Sequence, residues 1–114
     1  MTHDHFWQII ADACRSDPAS AEEWDVRLIE VLSRLSADEI VAWDYIFDDL
    51  YVWAYRTDLW AAAYQINGGA SEDGFCYFRC WLIGMGRNIY NNAINDPDSL
   101  SLVFYSANQQ VLFL

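Results

Sequence analysis

Two segments of this 114-residue sequence open in the same way. Ser20-Ala21-Glu22-Glu23 and Ser36-Ala37-Asp38-Glu39 each set a glutamate three residues after a serine. In that pattern the hydroxyl and the acid satisfy each other's backbone N–H groups at a helix start. Apolar residues then recur every three or four positions. Trp24, Leu28, Val31, Leu32 and Leu35 follow the first box, and Ile40, Trp43, Phe47, Leu50, Tyr51 and Ala54 follow the second. Helix breakers are scarce, with 2 prolines and 5 glycines, so long elements are favoured over many short strands. The expectation is an all-α fold, a compact single-domain bundle of about five to seven helices over residues 1–114.

The remaining segments fit that frame. His3 to Arg15 carries Phe6, Ile9, Ile10 and Ala13 at helical spacing, with Thr2 or Asp4 as the cap, before Ser16-Asp17-Pro18 interrupts it. Only Leu35 and Ser36 need be non-helical between the second and third helices, which predicts an antiparallel hairpin. The third helix has apolar residues off its main stripe, at Val41, Tyr45, Ile46 and Trp53, and so reads as a central helix covered by neighbours. Thr57 or Asp58 caps a fourth helix that Asn67-Gly68-Gly69 stops, because glycine takes the left-handed conformation past a helix end. Ser71 starts a fifth, also central, with Phe75, Phe78 and Leu82 on one face and Tyr77, Trp81 and Met85 on a second. Arg87 to Ile94 forms a sixth, broken by Asp96-Pro97-Asp98. The apolar end Val111-Leu112-Phe113-Leu114 needs a covering surface.

Charge narrows the function classes. Six arginines, no lysine and 17 acids give a formal net charge of -11. Such a chain has no basic face for nucleic acid or an anionic membrane. Its hydrophobic fraction of 54% also separates it from disordered acidic tails. No apolar window reaches the ~18 residues of a membrane span, and the start lacks a signal-peptide pattern, so a bacterial-type cytoplasmic location is expected. Cys14, Cys76 and Cys80 lie among apolar neighbours and read as core residues of a reducing compartment.

One stretch is more specific. Asp58-Leu59-Trp60-Ala61-Ala62-Ala63-Tyr64, then Ile66-Asn67-Gly68-Gly69-Ala70-Ser71-Glu72-Asp73-Gly74-Phe75, then Tyr77-Phe78-Arg79-Cys80-Trp81-Leu82-Ile83 resembles the bacterial domain-of-unknown-function family 4240. Phe6-Trp7 with Ile9-Ile10 and the late Asp96-Pro97-Asp98-Ser99-Leu100 resemble it too, so the likeness spans nearly the whole chain. Glu72 stands where that family usually has aspartate, an acid for an acid. The resemblance implies a small helical bacterial domain and no particular activity.

Two constellations stand out as candidate sites. Asp58, Trp60, Asn67, Ser71, Asp73, Arg79 and Trp81 would line a ligand pocket, with Arg79 orienting an anionic group, Asp58 or Asp73 acting as acid and base, and Trp60 and Trp81 as walls. The competing structural account has Asn67 and the glycines closing one helix, Ser71 capping the next, and Arg79 in a partly buried ion pair with Asp58 or Asp44. Asp44, Asp48 and Asp49 form an acidic face for a basic partner. No catalytic residue, metal ligand set or cofactor is expected. His3 and His5 are the only histidines, and Cys76 with Cys80 lacks two further zinc ligands. The favoured function is a non-enzymatic interaction or regulatory module of immunity or adaptor type, with mimicry of nucleic-acid charge as its sharper form. The alternative is a small-molecule-binding domain or minimal enzyme around Asp58, Asp73 and Arg79.

Overall fold

The computed structural model describes residues 1–13, 21–101 and 103, and for residues 21–24 the backbone alone. Among the described residues there are six α-helices and no strand. They are α1 (His3–Ala13), α2 (Ala21–Ser33), α3 (Ala37–Trp53), α4 (Thr57–Asn67), α5 (Glu72–Gly84) and α6 (Arg87–Asn95), followed by a 3-10 turn at Pro97–Ser99. The all-α bundle expected from periodicity and capping is the observed architecture. The first capping box, the break at Asp17-Pro18, Cys14 and the apolar end at Val111–Leu114 lie outside the described residues.

Helix α5 forms the centre. Phe75, Phe78, Leu82 and Ile83 are fully buried and Trp81 nearly so; of the second expected face, Tyr77 is 63% exposed and Met85 only partly buried. Helices α3, α4 and α6 pack around it, and α1 lies against α2 and α3. Helix α1 contributes Phe6, whose ring centroid is 5.3 Å from that of Trp43, and Trp7, 5.6 Å from Tyr90. Those two ring pairs link α1 to α3 and to α6. The Tyr90 hydroxyl donates to the Leu50 carbonyl at 2.7 Å and ties α6 to α3.

Local chemistry sets the helix ends. At α3 the Ser36 hydroxyl accepts from Glu39 N at 3.2 Å while Glu39 Oε1 accepts from Ser36 N at 3.1 Å, the reciprocal box read from the sequence. Those two Ser36 bonds, backbone first, hold the Glu39 carboxyl below its usual range. Thr2 Oγ1 takes His5 N at 3.1 Å and starts α1. Ser71 Oγ takes Gly74 N at 3.1 Å and starts α5. Gly68 closes α4 at φ 72°, where a Cβ would be strained.

Three expectations need correction. Helix α4 starts after Arg56, which provides no side-chain cap, and Thr57 and Asp58 fall inside its first turn. Helix α2 packs chiefly against α1, so α2 and α3 are not the close hairpin that their short link suggests. The turn at 34–36 redirects the chain, and Arg27 Nε anchors α2 by donating to the Ala13 carbonyl at 2.6 Å. Finally, α3 is not surrounded. Val41, Tyr45 and Trp53 are 53%, 70% and 64% exposed, although Ile46 is buried.

Tyr90→Phe removes a buried hydroxyl from the Leu50 carbonyl, and urea unfolding should show a loss of about 1–2 kcal/mol. Burial raises the Tyr90 phenol from 10.0 to about 12, against a smaller opposing effect of Arg56. The unfolded chain therefore ionises first as pH rises. The stability linked to this group is fully present below 10.0 and is lost towards about 12. The variant should lose less over that window.

Candidate functional site

The polar residues of the central motif divide among different tasks. Trp60, half-buried on α4, donates its indole N–H to the Ala70 carbonyl at 2.9 Å. It also stacks on Phe75 with centroids 4.9 Å apart. It thereby locks the Asn67–Ala70 link between α4 and α5. Ser71 is the α5 cap, and Asn67 is the last residue of α4. Asp73 is exposed in the first turn of α5, where its charge suits the positive end of the helix dipole. Trp81 is buried against Phe78, with centroids 5.8 Å apart.

Arg79 departs most from expectation. It is 4% exposed, yet no carboxylate among the described residues lies within ion-pair distance. Asp58 instead sits 3.5 Å from Arg56, and Asp44 is exposed on α3 about two helical turns before Tyr51. The Arg79 guanidinium lies 3.8 Å from the Tyr51 ring centroid, 4.7 Å from that of Tyr55 and 4.9 Å from that of Phe75. Its Nη1 donates to the Tyr51 carbonyl at 2.9 Å. Its Nη2 is 3.5 Å from Cys76 Sγ, and its Nε is buried with no partner. Three π faces and a carbonyl take the place of a counterion. A planar, weakly hydrated guanidinium tolerates that environment better than an ammonium would.

Asp58 faces elsewhere. With Gln65 on α4 and Asp96, Asp98 and Ser101 it rims an open groove of about 370 Å³, floored by Ala61, Ala62, Ile66 and Leu100. Neither Asp73 nor Arg79 lines it. Asp58 Oδ1 accepts from Leu59 N at 2.8 Å and Asp96 Oδ1 from Asp98 N at 3.2 Å, so both acids already serve local turns. The structure thus separates Asp58, Asp73 and Arg79 instead of converging them. Among the described residues no group of three or more His, Cys, Asp or Glu is placed to hold a metal, and no helix is long and apolar enough to cross a membrane.

The second candidate is divided between two edges of one helix. Asp44, Asp48 and Asp49 are all exposed on α3, and the stripe between them is apolar: Val41, Tyr45 and Val52, each more than half exposed. The sequence reading places Val41 and Tyr45, though not Val52, in a covered interior. Their orientation depended on how much of α3 the other helices reach. Tyr51 and Tyr55, the rings over Arg79, were missed for the same reason, because they approach it only through tertiary packing.

Arg79→Ala is expected to lower the unfolding free energy by ~3 kcal/mol, as a large buried side chain lost from a packed site leaves a cavity. Arg79→Met should cost clearly less, because the apolar stem remains and no carboxylate is orphaned. Urea unfolding of both variants checks this, and equal losses would mean that the charge itself is required.

No curated protein and no solved structure matches the chain. The model of one family, described as protein of unknown function (DUF4240), matches residues 1–113, nearly the whole chain. The resemblance carried by the aromatic motif and the helical fold built on it lead to one conclusion: the chain belongs to the family of proteins of unknown function DUF4240.

Proposed function

We propose that this chain is a non-enzymatic interaction module of immunity or adaptor type, acting in the bacterial cytoplasm, and that it captures a basic partner on the outer face of α3. The observation that carries the reading is the exposed apolar stripe of Val41, Tyr45 and Val52, at 53%, 70% and 62%. Asp44 and Asp48 flank it on one side and Asp38 and Asp49 on the other, and α3 has no basic residue. A row of apolar side chains open to water favours contact with another apolar surface. The surrounding carboxylates select which surface, since they attract lysine and arginine and repel acids. The occupant that fits is a helical segment with an apolar ridge edged by basic residues. A net charge of -11 adds long-range steering toward such a partner.

The small-molecule reading around Asp58, Asp73 and Arg79 has less support. The guanidinium lies under three rings, and no cation is among the described residues that line the groove beside Asp58.

Affinity capture from the native host with the wild-type chain and with the Tyr45→Asp and Asp44→Lys/Asp48→Lys variants tests the proposal. One basic protein should be retained by the wild type and lost by both variants. Its retention should fall as salt rises from about 0.05 to 0.5 M, where the screening length shortens from ~14 to ~4 Å. Capture that ignores both variants and salt overturns the assignment to α3.

A further inference from the structure

The open groove between α4 and the Pro97–Ser99 turn has no part in the α3 face. It lies where two stretches singled out in the sequence come together, the one that opens with Asp58 and the one from Asp96 to Leu100. Its volume of about 370 Å³ falls in the range of small-molecule sites. Three of its lining residues are acidic, Asp58, Asp96 and Asp98, and none of the described ones is basic. Its floor is apolar and includes Ala62, Ile66 and Leu100, the last 1% exposed.

The arrangement of the acids decides the class of ligand. Although they line one groove, they do not form a group that could hold a metal ion. A single compact cation would therefore leave part of the rim unmatched, and an anion would be repelled. A ligand with positive charges spread along an apolar stem meets both features at once. Its ammonium groups reach separate carboxylates, while the methylenes between them cover the floor. Asp58 and Asp96 each spend Oδ1 on a local turn, at Leu59 N and Asp98 N, which orients the carboxylate and leaves its second oxygen as an acceptor. Arg56, 3.5 Å from Asp58, draws on that same Oδ1 and does not line the groove.

We propose that this groove binds a linear aliphatic polyamine, a methylene chain carrying two or three protonated amines, with Asp58, Asp96 and Asp98 as the ammonium acceptors. The complementarity is one of charge pattern as well as of sign. Separated carboxylates pair with separated ammonium groups, and the apolar floor between α4 and the turn takes the stem in place of water.

Titration of the full nitrogen-15-labelled chain with spermidine, a triamine, tests this at a fixed ionic strength of about 0.15 M. Saturable amide shifts are expected at residues 58–66 and 96–101, with those of α3 unmoved. n-Butylamine carries one charge on a similar stem and should bind at least about fivefold more weakly, because it forms fewer ammonium–carboxylate pairs. The Asp96→Asn/Asp98→Asn variant should weaken spermidine by a similar factor. Asparagine keeps the side-chain oxygen that caps the turn at residue 96, so the fold is retained. Asp44→Asn/Asp48→Asn removes the same charge from α3 and should leave the binding unchanged. Magnesium at the same ionic strength should not displace the amine. Absence of saturable shifts, shifts spread over every acidic segment, equal loss in the two double variants, equal binding of n-butylamine, or displacement by magnesium each overturn the proposal in favour of diffuse attraction to an acidic chain. None of these readouts involves a protein partner, so the α3 assignment stands or falls separately.

Discussion

The guanidinium of Arg79 brings a full positive charge into the centre of the bundle, and much of the packing follows from how it is accommodated. With no carboxylate beside it, the charge needs aromatic faces and a carbonyl oxygen, and those come from α3 and α5 together. The last turn and a half of α3 is thereby held against α5. One residue before Tyr51, the Leu50 carbonyl receives the Tyr90 hydroxyl, so α6 is joined to the same turn. Ala54, fully buried, completes the contact. Once Leu50, Tyr51 and Ala54 face inward, helical geometry leaves Val41, Tyr45, Asp48 and Val52 facing outward. The buried cation and the exposed acidic stripe are two consequences of one helix orientation.

That orientation also changes the meaning of the net charge. Asp38, Glu39, Glu72 and Asp73 sit in first turns, where they cap or complement the helix dipole. The ion pairs Arg56–Asp58 and Arg87–Asp4 are exposed and contribute little. Of the acids that remain, Asp44, Asp48 and Asp49 lie on α3 around an apolar row. These carboxylates take part in no cap or ion pair among the described residues.

Much of the fold was legible because its signals are local. A serine and a glutamate three residues apart determine a helix start whatever lies around them, and Gly68 ends α4 because only glycine takes φ 72° without strain. The central position of α5 was legible as well, since Phe75, Phe78, Leu82 and Trp81 together cover more than one side of a helix. The same argument does not hold for α3, whose apolar residues lie on two sides of which one is open to water. Periodicity states which residues share a face. It does not state whether another element of the chain arrives to cover that face.

The site divides along the same line. The motif's residues and the helices that carry them are determined by the sequence alone, as are the acidic surplus, the family and the all-α class. Tertiary structure alone decided that Arg79 meets Tyr51, Tyr55 and Cys76 and not Asp58 or Asp44, and that Asp58 turns to a separate groove. The reason is that a charge has no preferred partner encoded in its own segment. It takes whatever acceptors, π faces or anions the packing of distant elements brings within a few ångströms, and residues 28 apart in sequence became neighbours only when α3 closed on α5.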